Sequence, residues 1–158
     1  MKFSPLRKAG WAFFALSFFA LLSLTGPAAA EQPTFDLGKY HGKVVYLDFW
    51  ASWCGPCKLS FPFMEELHYR YLPKDMVVIT VNLDHSHSAA ASFLKKMRSN
   101  LSVIYDAKGD LAKSYRVSDM PTSILFDRQG KVRFVHKGFY PDKKGEYMSQ
   151  IAQLIHEN

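Results

Sequence analysis

Cysteine is scarce in this chain. Of 158 residues only Cys54 and Cys57 carry a thiol, so a framework of several disulfides is excluded. A zinc site built from two cysteine pairs is excluded too, because no second pair exists to complete four ligands. Dense basic runs are also missing. Beyond residue 30 the charges are of mixed sign, without the Lys/Arg cluster that marks a nucleic-acid binder. There is no internal repeat and no low-complexity tract. With 48% hydrophobic and 22% charged residues, the composition suits a folded domain with a real core rather than a disordered segment. The one long apolar stretch, residues 11–24, would reach about 21 Å as a helix, against a hydrocarbon core of about 30 Å.

That stretch belongs to a targeting pattern. Lys2, Arg7 and Lys8 precede it, Gly26-Pro27 breaks it, and Ala28-Ala29-Ala30 supplies a small-residue cleavage site. Residues 1–30 therefore read as a signal peptide cut after Ala30, with an uncleaved membrane anchor as the rival. They contain no cysteine, so a lipid attached through cysteine is excluded. Removing them takes away three basic residues and lowers the formal charge from +6 to +3. Residues 31–158 are of a length for one domain, placed in a periplasm or other extracytoplasmic space.

Within that domain, residues 31–38 read as a lead-in. Residues 44–50 form a β-branched and aromatic run bounded by Gly42-Lys43 and the turn at 52–55, the pattern of a buried strand. Asp48 is its anomaly. From Cys57, the spacing of Phe61, Met64, Leu67 and Tyr71 predicts a helix with Glu65, Glu66 and Arg70 on its far side. Pro62 falls inside it, where a backbone donor is lost and a kink is expected. A doubly buried strand over 76–83 follows, then a helix over 88–97 burying Phe93, Leu94 and Met97, a brief strand at 103–105 and a short helix at 111–115. Residues 123–126 and 132–136, joined by a turn at 127–130, read as an antiparallel hairpin. A last helix over 144–156 turns Tyr147, Ile151, Leu154 and Ile155 to one face. Alternating strands and helices followed by a hairpin imply a mixed α/β sheet flanked by helices.

The two cysteines form C-x-x-C between a strand and a helix, a redox pattern. As a structural disulfide it would close too small a loop to stabilise much. At a helix N-terminus, Cys54 would meet unpaired N–H groups and the positive end of the helix dipole, both of which favour its thiolate. Cys54 is then the nucleophile, and Cys57, further inward, resolves the mixed disulfide. An aspartate in an apolar strand is costly to ionise, so Asp48 either is raised in pKa by burial or turns to solvent at the strand end. Met120-Pro121, on its own, reads as a turn before a strand.

The run Val45-Tyr46-Leu47-Asp48-Phe49-Trp50-Ala51-Ser52-Trp53-Cys54-Gly55-Pro56-Cys57-Lys58, with Pro62 and Met120-Pro121-Thr122, resembles the thioredoxin superfamily. The export signal, Gly42-Lys43 and the stretch from Pro121 to Val132 are similar to its TlpA/ResA/CcmG-type extracytoplasmic branch. The resemblance covers about residues 34–155 and implies a single-domain thioredoxin fold. It implies that Pro121 is a cis-proline beside the cysteines, that the Met120 backbone pairs with an extended substrate segment, and that Trp53, Gly55 and Pro56 face the substrate. It implies that Asp48 is the acid beneath the resolving cysteine, suited to accept the Cys57 proton. Gly55-Pro56 departs from the Glu-Pro common in ResA-like members. Asp84 or His85 stands where the branch often has an acid after the central strand, and neither receives a role.

The expected function is an exported thiol-disulfide oxidoreductase that reduces substrate proteins, without cofactor or metal, as a monomer. A DsbD- or CcdA-type membrane protein is the electron donor the resemblance suggests, and apocytochrome c maturation is one implied task. A disulfide oxidase or isomerase stays open, as does a copper or zinc chaperone using a loop histidine. For the latter, His85 and His87 fit a polar loop better than a ligand set.

Overall fold

Seven consecutive residues, Val44–Trp50, are all buried in the first strand, and this is the strand around which everything else is arranged. The computed structural model describes residues 35–157, which fall within one compact unit. The expected leader and its cleavage point lie outside the described residues.

The elements are β1 (Val44–Trp50), α1 (Cys57–Arg70), β2 (Met76–Asn82), α2 (His87–Met97), β3 (Ser102–Tyr105), α3 (Asp110–Ser114), β4 (Thr122–Phe126), β5 (Val132–Lys137) and α4 (Lys144–His156). A 3-10 turn, Leu37–Tyr40, precedes them, and another, Pro141–Lys143, leads into α4. The sheet order is β3-β2-β1-β4-β5. β1 pairs in parallel with β2, and β2 with β3, while β4 runs antiparallel to both β1 and β5. β1 thus has a partner on both edges and a layer on both faces, which explains its unbroken burial.

Because side chains alternate along a strand, β1 serves two cores. Val44, Tyr46 and Trp50 face α1, α2 and α4, joining Phe61, Met64, Leu67, Phe93, Ile151 and Leu154. Val45, Leu47 and Phe49 face the other way, with Ala112 of α3, and with Phe35, Leu37 and Tyr40 of the lead-in packed against them. The lead-in is therefore a cover for the second face.

The helix from Cys57 runs through Pro62, which is exposed on its solvent side. Phe63 lies outside the stripe read from spacing, yet it is buried: Phe139 and Tyr147 lie 5.6 and 5.9 Å from its ring. A second layer, α4 and the segment before it, widens the apolar face of α1. Glu65 is not purely solvent-facing either, since its carboxylate accepts from Ser99 Oγ and the Asn100 N–H after α2. α2 starts at His87, with Ser86 Oγ accepting from the Ala89 N–H as its cap. It buries Ala90 and Phe93, and leaves Leu94 and Met97 half-buried.

Candidate active site

β1 ends by feeding the chain into a turn held from three directions. Cys54 N–H donates to the Ala51 carbonyl at 3.1 Å, and the Lys58 and Leu59 N–H groups close the first turn of α1 on Gly55 and Pro56. Ser52 N–H and Ser52 Oγ both donate to the Asp84 carboxylate, at 3.0 and 2.9 Å. Asn82 Nδ2 adds a third donor at 2.8 Å. Asp84 is buried at the end of β2, so this carboxylate ties the cysteine turn to the central sheet.

Sequence reasoning left Asp84 without a role and overlooked Ser52. A polar residue just after a strand is a visible signal, but its partner 32 positions earlier is a matter of sheet register. Removing the carboxylate leaves the Ser52 donors and Asn82 without their partner. Asp84→Ala should therefore lower stability by about 2–4 kcal/mol, read as a lower urea midpoint at unchanged m-value.

Within the turn, Cys54 and Cys57 are joined as a disulfide, and Cys57 N–H points at Cys54 Sγ from 3.2 Å. Cys57 is the first residue of α1, so the N–H that supports Cys54 is one of the helix's unpaired donors, and the helix dipole acts in the same sense. The two cysteines differ in exposure. Cys54 retains 5% exposure and Cys57 has none. Trp53 beside them is 71% exposed, a large apolar surface left in solvent. Gly55 and Pro56 are exposed as well. A Cβ on Gly55 would meet nothing within 4 Å, so packing does not demand glycine there.

The Met120–Pro121 peptide is cis. Pro121 is buried at the start of β4, and Met120 packs against the same apolar cluster that contains Cys54 and Cys57. The turn and the proline loop, far apart in sequence, thus share one core.

Asp48 is fully buried on the face of β1 that carries Tyr46 and Trp50, the face covered by α1. Ser123 lies opposite it on β4 and donates to Asp48 Oδ1 at 2.6 Å, while Tyr46 OH donates to Ser123 Oγ at 2.8 Å. Asp48 Oδ2 has no hydrogen-bond partner among the described residues. Burial raises the carboxyl to about 7, and the Ser123 bond works against that rise. Burial and the charge of Asp48 push the Tyr46 phenol up as well. Neither Tyr46 nor Ser123 was read from sequence as part of the site.

The histidines do not converge. His85 is exposed and the His87 ring stacks on Tyr105 at 3.9 Å. Among the described residues, no three His, Cys, Asp or Glu side chains are grouped as a metal would require.

A C-x-x-C pair at a helix N-terminus, a cis-proline in its core and a buried acid on the facing strand define a thiol-disulfide oxidoreductase of the thioredoxin fold. The Redoxin family pattern matches residues 20–151, and the chain belongs to that family. It is 34% identical over 123 residues to the thiol-disulfide oxidoreductase ResA of Bacillus cereus, covering 77% of this chain and 71% of that protein. Against ResA of Bacillus subtilis it is 34% identical over 117 residues, 73% of this chain and 65% of that one. Among solved structures, a protein described as a thiol:disulfide interchange protein DsbE from Chlorobium tepidum superposes with a TM-score of 0.72 at 44% identity, covering 75% of this chain and 84% of the other. The exposed lipoprotein thioredoxin Etrx1 of Streptococcus pneumoniae gives 0.64 at 34% identity, with 75% and 90% covered. The enzyme accordingly exchanges thiols for disulfides, and its substrates are disulfide-bearing.

Proposed function

We propose that this oxidoreductase is exported and works as a reductant of protein disulfides. The observation that carries the reading is the Cys57 N–H directed at Cys54 Sγ at the start of α1, with Cys54 the more exposed residue of the pair. In the reduced enzyme the Cys54 thiolate attacks one sulfur of a substrate disulfide and expels the other as thiolate. Cys57, deprotonated with Asp48 as acceptor, then attacks Cys54 Sγ and releases the second substrate thiolate. Two electrons pass to the substrate, and the enzyme is left as its Cys54–Cys57 disulfide.

Trp53, Gly55, Pro56 and Met120 form the substrate-facing surface in this reading. An extended segment pairs with the Met120 backbone, and Pro121 holds that backbone in place. Gly55-Pro56 supports the reducing direction, since the thioredoxin potential of about −270 mV lies well below the about −120 mV of the strong oxidant DsbA.

Export rests on residues 1–30. Their basic start, apolar middle and Ala28-Ala29-Ala30 end fit a leader removed after Ala30, and a structural relative is itself described as an exposed lipoprotein thioredoxin. In an oxidising space the enzyme needs an electron supply, for which a DsbD- or CcdA-type membrane donor fits. Apocytochrome c, whose haem-binding cysteines must be reduced before haem attachment, is a suitable substrate, and a monomer suffices for the chemistry.

The test is the potential of the Cys54/Cys57 couple, measured by equilibration with glutathione. A value nearer −270 than −120 mV is expected, and one near −120 mV would make the enzyme an oxidase. N-terminal sequencing of the protein from its host should begin at Glu31.

A further inference from the structure

A buried carboxylate with only one hydrogen bond is an expensive group to keep ionised. Asp48 is in that position, and the single bond comes from Ser123, which lies opposite it in the β1–β4 register. When Asp48 is ionised, the polarity of the chain is fixed by chemistry. A carboxylate can only accept, so Ser123 turns its one hydrogen toward Asp48 Oδ1. Its remaining lone pairs then face Tyr46, which must donate, as its hydroxyl does at 2.8 Å. Donation by Tyr46 polarises the serine O–H and strengthens the bond to the carboxylate.

We propose that Ser123, aimed by Tyr46, is a positioning residue for Asp48: it holds the carboxylate in its charged, proton-accepting form and leaves Oδ2 as the oxygen that takes the Cys57 proton. The inference rests on the reading of Asp48 as proton acceptor. In the resolving step the proton of Cys57 Sγ passes to Asp48 Oδ2, the Cys57 sulfur bonds to Cys54 Sγ, and the substrate sulfur leaves with the electron pair of the broken bond. Throughout, Oδ1 continues to accept from Ser123, so the chain does not have to reverse.

Among the described residues, several other titratable groups lie on this face of the sheet, with Tyr71 after α1 and Tyr105 of β3 packed against the same cluster. β1 contributes Tyr46, α1 contributes Cys57, and α4 contributes Tyr147, which acts on Tyr46. His136 of β5 is in register with Ser123, and burial holds its pKa below the ordinary value. Its Nε2 bonds Gln150 and its ring stacks on Tyr147 at 4.5 Å. Glu66 and Lys144 form a largely exposed pair, Lys143 and Glu146 act on His136, and α2 turns Ala90 and Phe93 to this face.

The experiment is a carbon-13 NMR titration of the Asp48 carboxyl in the oxidised full chain, where Cys57 does not titrate, for wild type, Ser123→Ala, Ser123→Thr and Tyr46→Phe. Loss of a hydroxyl donor to a charged acceptor should move the Ser123→Ala midpoint up by about one to two pH units. Tyr46→Phe should move it less, in the same direction, and Ser123→Thr should restore the wild-type midpoint. In kinetics, the rate of resolving a preformed Cys54 mixed disulfide rises with pH as Asp48 ionises. That limb should shift with the carboxyl in Ser123→Ala, lowering the rate at pH 7 by about 5- to 50-fold, and should vanish in Asp48→Asn.

An unmoved carboxyl midpoint in folded Ser123→Ala overturns the proposal, and if Asp48→Asn still removes the limb, the acceptor reading survives it. Persistence of the limb in Asp48→Asn sinks the acceptor reading, and the role proposed for Ser123 in proton transfer goes with it. If Ser123→Ala does not fold, Tyr46→Phe decides, since it keeps the ring in the core: an unmoved midpoint there overturns the proposal as well.

Discussion

A Cys57→Ser chain should accumulate covalent complexes with its substrates on Cys54, and should turn over at least about 10³-fold more slowly than wild type. The reason lies in the geometry of the pair. Cys57 N–H sits 3.2 Å from Cys54 Sγ, three residues away at the start of one helix, so in the proposed order of attack release of the substrate is an intramolecular displacement. Well-oriented intramolecular reactions have effective molarities of about 10⁵ M or more, far above the millimolar thiols that could substitute from outside. The serine hydroxyl keeps the size of the side chain but cannot displace a sulfur at neutral pH. Non-reducing gels of the variant from its host, followed by mass spectrometry of the reducible bands, would show the complexes. Cys54→Ser should trap nothing, because the cysteine proposed to make the first attack is gone. A Cys57→Ser chain with no trapped species would remove the proposed order of attack.

The second large effect is on stability. The Asp48 carboxyl titrates near 7 in the fold, against 3.8 as an ordinary aspartate, and burial is the cause. Between those two values the folded protein holds a proton that the unfolded chain has released. The contribution of Asp48 to stability is therefore intact below about pH 4, is lost as pH rises through about 7, and is flat above that. Asp48→Asn removes this titration. The variant should match wild type near pH 3.5 and exceed it at pH 8 by about 2–4 kcal/mol, the order expected from a shift of about three pH units at about 1.4 kcal/mol each. Urea unfolding of both proteins across pH, with the disulfide intact, checks this. The same variant should resolve mixed disulfides about 10²-fold more slowly, the usual scale for a lost general base. A gain in stability joined to a loss in rate would show that the carboxylate is held in the core for its chemistry. Equal stability at pH 8 would mean that the fold does not penalise the charge.

The elements were legible because each carries its own periodicity. β1 and α4 fall on the residues that spacing indicates, and the C-x-x-C lies where a strand gives way to a helix. Boundaries set by capping were less clear: α2 begins at His87 because the Ser86 side chain accepts from the Ala89 N–H, and serines at 86 and 88 look alike in sequence. Phe63 escaped its helical stripe because the layer that buries it comes from the far end of the chain. Trp53, Met120 and Pro121 were visible as parts of motifs, while the packing of Met120 against the cysteine cluster depends on how β4 lies beside β1.

By itself the sequence determined the strand-turn-helix that carries the cysteines and the apolar burden around Asp48, since local propensity and alternation act over a few residues. Which side chains speak to which was decided only by the tertiary structure. Asp48 meets Ser123 across 75 positions, and Ser52 meets Asp84 across 32. Such contacts follow from strand order and register, where a shift of one residue would turn every side chain to the opposite face. The buried acid could therefore be singled out from the strand, but the hydroxyls bonded to it could not.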